Sequence, residues 1–131
     1  LALSWEAMDE RRWRFRLRPG VRFSNGEPFD AQAVAATFRW LATREGRAML
    51  MGARFRNVVA ATATAPLVVE LATAEPDPVL PERLATLAIV APRAWARLGV
   101  RGFALPPAGT GPYRLVDWGQ ESRVARLLAN P

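Results

Sequence analysis

The chain has 131 residues, a formal net charge of +6, and neither cysteine nor histidine. These absences exclude a disulfide, a cysteine nucleophile and a histidine general base within the chain, and because all 18 basic residues are arginine they exclude lysine Schiff-base chemistry as well. Half of the residues are hydrophobic, which is enough for the core of the single domain that we predict over residues 1–131.

The first predicted elements are two strands. Residues 1–7 alternate between apolar and polar side chains, and so do residues 12–18. The apolar face of the second strand carries Trp13, Phe15 and Leu17. Only four residues join the strands, too few for a parallel crossover, so an antiparallel pair is predicted. Trp5 is then expected to share the buried face with Trp13 or Phe15.

A turn and a capped helix follow these strands. Pro19-Gly20 predicts a reversal that returns residues 21–23 to the side of the second strand, and Asn25-Gly26 predicts another reversal. Asp30 is placed to accept hydrogen bonds from the first turn of a helix. The apolar stripe of that helix is formed by Val34, Phe38 and Leu41. Residues 43–52 are predicted as a further short helix.

The middle of the chain predicts a hairpin, a short helix and a buried strand. Residues 56–64 and 67–72 are rich in β-branched and small residues and are joined by a reversal, which is typical of a hairpin. Asp77 is predicted to cap a short helix with Pro78 at its first position. The brief apolar run over residues 87–90 suits either a buried strand or the last turn of that helix, and its length favours the strand.

The last third predicts one helix, a loop and a final pair of strands. The helix covers residues 92–98, with Gly99 just after its end, and residues 100–108 form a loop. The strands cover residues 112–118 and 120–128. Helices and hairpins in this order predict an α+β fold in which helices pack on a largely antiparallel (mixed) β-sheet.

Two residue types raise the question of nucleic-acid binding. The arginines of the second strand, at positions 12, 14, 16 and 18, face away from its aromatic residues, whereas single-strand binders place both on one surface. A solvated sheet face is therefore predicted and no nucleic-acid partner is expected, so a basic nucleic-acid-binding module is kept only as the least favoured alternative function. Of the five tryptophans, Trp5, Trp13 and Trp118 follow strand patterns that favour the core, while Trp40 lies off the helix stripe and is expected to be exposed.

Two segments resemble a known protein family. The first spans most of residues 1–37, and its matching residues are Leu1-Ala2, Ser4-Trp5-Glu6, Trp13 through Arg18, Gly20-Val21, Phe23, Gly26, Pro28-Phe29, Ala31, Val34 and Thr37. The second is GTGPYRL, from Gly109 to Leu115. Both are similar to runs in bacterial extracellular solute-binding proteins of family 5, which deliver oligopeptides, dipeptides or nickel to ABC importers.

The resemblance implies a fold, a function and a location. The fold is most of the smaller subdomain of the N-terminal lobe in a two-lobed, periplasmic-binding-protein-like (class II) protein, so the chain is expected to be a fragment. The implied function is the capture of a peptide, a related small solute or a nickel complex for an ABC permease, without enzymatic activity or a cofactor. The implied location is periplasmic or extracytoplasmic, or membrane-associated if the parent is a lipoprotein. Open sheet edges of the fragment could pair with a second copy.

The loop Gly109-Thr110-Gly111 is the one glycine-rich candidate for a ligand site. It lacks the spacing and the lysine of a P-loop and leads into a predicted strand, so a phosphate site is not predicted. The resemblance implies that it runs near the ligand cleft, which makes Thr110, Gly111 and Tyr113 candidate ligand-binding residues. The alternative is that the glycines only permit a tight approach to Pro112. No catalytic or metal-binding residue is predicted.

A second function stays open beside solute capture for transport. Some cytoplasmic transcriptional regulators carry a similar binding domain as a ligand sensor. A winged-helix DNA-binding segment upstream in the parent gene favours that function, whereas a signal peptide or a lipoprotein cysteine there favours transport.

Overall fold

The computed structural model describes residues 1–104, 107–119 and 124–130. In chain order its elements are β1 (Ala2–Asp9), β2 (Arg12–Leu17), α1 (Ala31–Leu41), α2 (Arg44–Ala48), α3 (Leu50–Arg54), β3 (Val58–Ala65), β4 (Val68–Thr73), α4 (Leu80–Leu84), α5 (Pro92–Phe103), β5 (Tyr113–Gly119) and β6 (Val124–Ala129).

These elements belong to two compact units. The first consists of Leu1–Pro19 and Asp30–Ile89 and holds β1 to β4 with α1 to α4. The second consists of Gly20–Phe29 and Val90–Pro131 and holds α5 with the β5–β6 hairpin. The predicted α+β fold with a largely antiparallel sheet is confirmed, and a single domain over residues 1–131 stays a prediction.

The first unit is built on a four-stranded sheet in the order β1-β2-β4-β3, with every neighbouring pair antiparallel. The inner strands bury alternate residues, namely Phe15, Leu17, Val69 and Leu71. On the opposite face Arg14 lies between two carboxylates, donating from Nε to Glu70 at 2.9 Å and from Nη1 to Glu6 at 3.3 Å. On the arginine-bearing face, oppositely charged side chains therefore pair across neighbouring strands, which agrees with the prediction that this face is solvated.

The position of Trp5 differs from the prediction. The predicted antiparallel pairing of β1 with β2 is confirmed, and Trp5 lies directly opposite the buried Phe15. Its side chain is nevertheless 55% exposed. The reason is that α1 packs mainly against β3 and β4, which lie at the opposite edge of the sheet from β1.

Residues 21–23 do not return beside β2. Both edges of β2 are occupied, by β1 on one side and β4 on the other, so no edge is left for a further strand. Instead, Arg22 forms an antiparallel bridge with Pro28 across the predicted Asn25-Gly26 reversal. Gly26 has a φ of +85° and donates its N–H to the carbonyl of Phe23 at 2.8 Å, which confirms that second turn.

The capped helix is confirmed. Asp30 Oδ1 accepts a hydrogen bond from the N–H of Ala33 at 2.9 Å, and the predicted stripe of Val34, Phe38 and Leu41 is buried. Trp40, expected to be exposed, is half-buried. The segment predicted as one short helix forms two, α2 and α3, separated at Met49, which has an extended backbone.

Two predictions in the middle of the chain were wrong. Asp77 does not cap α4 with its side chain. The nearly buried carboxylate binds the guanidinium of Arg83 and accepts from Asn57 at 3.4 Å, and only its backbone carbonyl accepts from Leu80, at 3.2 Å. Residues 87–90 form no strand. They lie in the short connection between α4 and α5, and the N–H of Leu87 already donates to the carbonyl of Leu84. The β3–β4 hairpin is confirmed.

In the second unit, the regular helix that begins at Pro92 is interrupted at Gly99, as predicted, because the glycine has a non-helical backbone with a φ of +64°. A second helical stretch within α5 then continues to Phe103, whose ring packs edge-on against Trp95 with centroids 5.1 Å apart. The loop predicted from residue 100 is therefore partly helical. The β5–β6 hairpin is confirmed, but Trp118 on β5 is 52% exposed rather than in a core. Gln120, predicted near the turn, lies outside the described residues.

Candidate functional site

The first part of the candidate site is the loop over Gly20–Phe29 in the second unit. The loop is closed by a hydrogen bond from the N–H of Phe29 to the carbonyl of Val21 at 2.9 Å. The buried rings of Phe23 and Phe29 pack edge-on with centroids 6.0 Å apart. The loop is thus held by its own small apolar centre and can support other chain segments.

Glu27 connects this loop to the start of α5. Ala91 precedes the helix and offers no side-chain acceptor, and Pro92 opens it. The Glu27 carboxylate takes the place of a cap, accepting from the N–H of Arg93 at 2.8 Å and of Ala94 at 2.9 Å. The Glu27 side chain is only 11% exposed. A residue distant in the sequence therefore satisfies the free N–H groups of the helix.

The pKa of Glu27 is lowered from its usual value. Burial alone would raise this pKa, but the opposing interactions are together larger. They are the hydrogen bonds from the N–H groups of Arg93 and Ala94, the hydrogen bond from Asn25 Nδ2 at 2.7 Å and the positive charge of Arg93. Glu27 is therefore held in its charged form by the structure that it supports.

The second part of the site is the glycine-rich segment, here called the 109–112 loop. Its first residue, Gly109, exchanges two hydrogen bonds with Ser24: the Ser24 N–H donates to the Gly109 carbonyl at 2.8 Å, and the Gly109 N–H donates to Ser24 Oγ at 3.4 Å. The loop is therefore fastened at one end to the Gly20–Phe29 segment, within the same unit.

Asn130 fastens the other end of the 109–112 loop. Its side-chain amide donates to the carbonyl of Gly111 at 2.8 Å, and its backbone N–H donates to the carbonyl of Pro112 at 2.8 Å. Both bonds extend the β5–β6 pairing, in which Tyr113 lies opposite Ala129. The loop is thus held at both ends by groups on separate parts of the chain.

The candidate residues lie next to one another in the chain, Thr110 and Gly111 on this fixed loop and Tyr113 at the start of β5. Thr110 is half-buried, Gly111 is exposed and the side chain of Tyr113 is 64% exposed. They offer a hydroxyl group, backbone N–H and carbonyl groups, and an aromatic ring with a phenol, which suit hydrogen bonding and stacking with an uncharged or peptide-like ligand. The loop leads into β5 and not into a helix, so it offers no helix N-terminus to an anion.

The sequence did not reveal the residues that hold the loop. Ser24 and Asn130 lie 18 or more positions from the groups they bind, and no local pattern marks such pairs. Glu27 could have been found indirectly, since a helix that starts at a proline after Ala91 lacks a cap of its own. Among the described residues there is no cluster of three or more acidic side chains that could hold a metal ion.

Comparison with known proteins gives consistent matches over the chain. The profile of bacterial extracellular solute-binding proteins, family 5 Middle, matches residues 1–131. The HTH-type transcriptional regulator SgrR of Shigella dysenteriae serotype 1 is 32% identical over 117 residues, which are 88% of this chain and 19% of the regulator. The chain therefore spans only a small part of this curated relative.

Two solved structures have a similar fold. NikA from Brucella suis, in complex with Fe(III)-EDTA, is 34% identical and has a TM-score of 0.71 over 89% of this chain and 24% of NikA. The oligopeptide-binding protein AppA from Bacillus subtilis, in complex with a nonapeptide, is 19% identical and has a TM-score of 0.85 over 99% of this chain and 27% of AppA. These likenesses confirm the predicted class of fold. This chain belongs to the bacterial extracellular solute-binding proteins of family 5.

Proposed function

We propose that this chain is part of an extracytoplasmic solute-binding protein that captures a peptide, or a related small solute or nickel complex, and presents it to an ABC importer. Membership of family 5 supports the binding of a solute. The structural observation that supports a part for this chain in solute binding is the 109–112 loop. Ser24 and Asn130 hold the two ends of this loop, and Tyr113 next to it is exposed.

A fixed loop suits ligand binding because less freedom is lost when the ligand orders it. In the intact protein the ligand is enclosed between two lobes by hinge closure. The chain then forms and supports one wall of the cleft, with Thr110 and Tyr113 directed to the ligand. Its role is binding without catalysis, in keeping with a chain that has no histidine or cysteine.

The test uses the full-length protein that contains this chain, titrated with a mixture of short peptides by isothermal titration calorimetry. We expect Tyr113→Ala to weaken binding about tenfold, as for the loss of an aromatic contact at a ligand site. Val116→Ala, at an exposed position of the same strand, is the matched control and should bind as the unchanged protein does.

Two results would contradict the proposal. Unchanged affinity in the Tyr113→Ala protein would remove the 109–112 loop from the cleft. Tight and saturable peptide binding by the isolated 131-residue chain would show that the chain is a complete binding site and not one wall of it.

The second candidate function is ligand sensing within a cytoplasmic transcriptional regulator. The observation that favours it is the 32% identity with SgrR over 88% of the chain. The same cleft would then control DNA binding by another domain instead of delivery to a permease. Solute binding is common to both candidates, so the titration above does not separate them.

The flanking gene sequence separates transport from sensing. A signal peptide or lipoprotein cysteine upstream supports the extracytoplasmic location, and a winged-helix segment upstream supports the regulator. Within the described part of the chain, no helix has both the length and the apolar composition needed to cross a bilayer.

A further inference from the structure

The helical segment over residues 39–56, here called the basic corner, carries most of the net charge of the chain. Its charged residues are Glu45 and five arginines, Arg39, Arg44, Arg47, Arg54 and Arg56. The formal charge of the corner is therefore +4, against +6 for the whole chain. All five arginines are exposed, and none forms an ion pair with another described residue.

The basic corner is closely packed on its inner side. A Cβ on Gly46 would lie 2.2 Å from the carbonyl oxygen of Trp40, and a Cβ on Gly52 would lie 2.0 Å from that of Gly46, so α1, α2 and α3 meet backbone to backbone. The buried Phe55 packs edge-on against Phe38 with centroids 6.1 Å apart. The inner side is thus filled, and the charged side chains lie on the outer surface.

An apolar tip lies within this basic surface. Met49, in extended conformation between α2 and α3, is 40% exposed, and Leu50 is 78% exposed, the highest value among the large hydrophobic side chains of the described residues. Arg47 and Arg54 flank this tip along the chain. Nothing within the described chain covers Leu50, although the backbone beside it is fixed by the two glycine contacts.

We propose that the basic corner binds an anionic phospholipid surface. The arginines contact headgroup phosphates, and Met49 and Leu50 enter the boundary between headgroups and acyl chains. A bilayer of this kind uses both features of the corner, its unpaired positive charge and its protruding aliphatic side chains. The proposal is independent of solute capture, because the corner lies in the first unit and the 109–112 loop in the second.

Binding of a nucleic acid to the basic corner would explain only part of its surface. Single-strand binders need exposed aromatic rings for base stacking, but Phe55 is buried and Trp40 is half-buried. Duplex readers place a helix in the major groove, whereas α2 and α3 have five residues each. Neither mode gives a role to the exposed aliphatic tip.

The test is co-sedimentation of the full-length protein with vesicles of phosphatidylcholine alone or of phosphatidylcholine with phosphatidylglycerol. We expect binding only to the anionic vesicles and weaker binding as salt is added. The double variant Arg44→Gln/Arg47→Gln should bind about tenfold or more weakly, and Leu50→Ser severalfold more weakly. Near-ultraviolet circular dichroism checks that each variant is folded.

The matched control is Arg16→Gln/Arg18→Gln, which removes the same charge from exposed positions outside the corner. Its binding should be close to that of the unchanged protein. Equal losses in both double variants would overturn the proposal, since binding would then follow net charge alone. Absence of binding to anionic vesicles would also overturn it, and so would equally tight binding to DNA or polyglutamate with the same dependence on Arg44 and Arg47.

Discussion

At the residue scale, Glu27 has a specific electrostatic role in the second unit. Its carboxylate accepts from two N–H groups at the start of α5, far along the chain. The charged form is the better acceptor, so the low pKa of Glu27 and the stability of the helix start have the same origin. Protonation of this one group weakens a contact between two distant segments.

This role gives a pH-dependent prediction for Glu27→Gln. Because the folded-state pKa of Glu27 is lowered, its contribution is fully present above the ordinary glutamate pKa of about 4.3 and is lost as the pH falls through the lower folded value. We expect the variant to lose about 1 kcal/mol of unfolding free energy at neutral pH and much less at about pH 3. Urea denaturation at both pH values measures the two differences.

Glu10→Gln is the control for that experiment, since Glu10 is exposed and lies in the turn between β1 and β2. We expect it to change the free energy of unfolding little at either pH. A loss from Glu27→Gln that is the same in acid as at neutral pH would mean that the charge of the carboxylate is not what stabilises the helix.

At the element scale, the basic corner depends on two glycines whose role is packing. Helix propensity alone predicts that Gly46→Ala stabilises α2 by about 1 kcal/mol. The close approach to the Trp40 carbonyl predicts the opposite, a loss of about 1–3 kcal/mol from overpacking. Thermal unfolding decides the sign. Gly109→Ala is the control, because no atom lies within 4 Å of its added Cβ, and a stabilised Gly46→Ala protein would contradict the packing described here.

The elements that the sequence predicted well are those with local causes. The alternation in β2, the Asp30 cap and the stripe of α1 depend on residues a few positions apart, and all are confirmed. The failures depend on distant partners. Asp77 could have been a cap, but Arg83 and Asn57 take its carboxylate. Residues 21–23 could have extended the sheet, but β4 already occupies that edge of β2.

The candidate site follows the same division. Thr110, Gly111 and Tyr113 were chosen on a family signature, and their part in ligand binding stays a prediction. The loop that carries Thr110 and Gly111 and leads into Tyr113 is fixed by Ser24 and Asn130, and no spacing in the sequence connects these two residues to it. A pattern in one segment can suggest which residues meet a ligand, but the groups that hold them in place are known only when distant segments are folded together.

At the scale of the whole molecule, the edge strand β1 exposes apolar side chains that no other part of the described chain covers. Leu3 and Trp5 on the edge strand β1, and Leu1 just before it, are each about half exposed. An edge strand with such side chains is prone to pair with another chain. We therefore predict that the isolated 131-residue chain self-associates, with an apparent mass in analytical ultracentrifugation that rises with concentration.

Charge on the strand should suppress that association. Leu3→Lys/Trp5→Lys is expected to keep the isolated chain monomeric, because charged side chains on an edge strand disfavour pairing. Leu50→Lys also replaces an exposed apolar side chain by a charge, but on α3, and should leave the association unchanged. If both proteins became monomeric, the strand edge would not be the surface that associates.

The strand order has a consequence for the rate of folding. β1–β2 and β3–β4 are local hairpins, which form quickly, whereas the two inner strands meet through pairs such as Phe15 with Val69. That pairing closes a loop of about 50 residues and must overcome its closure entropy before any contact is gained. The two hairpins of the sheet are therefore expected to form quickly, and the pairing of β2 with β4 is expected to be the slow step of folding. Until β2 and β4 meet, the chain exposes the apolar faces of both hairpins, and that is the interval in which it is most vulnerable to aggregation.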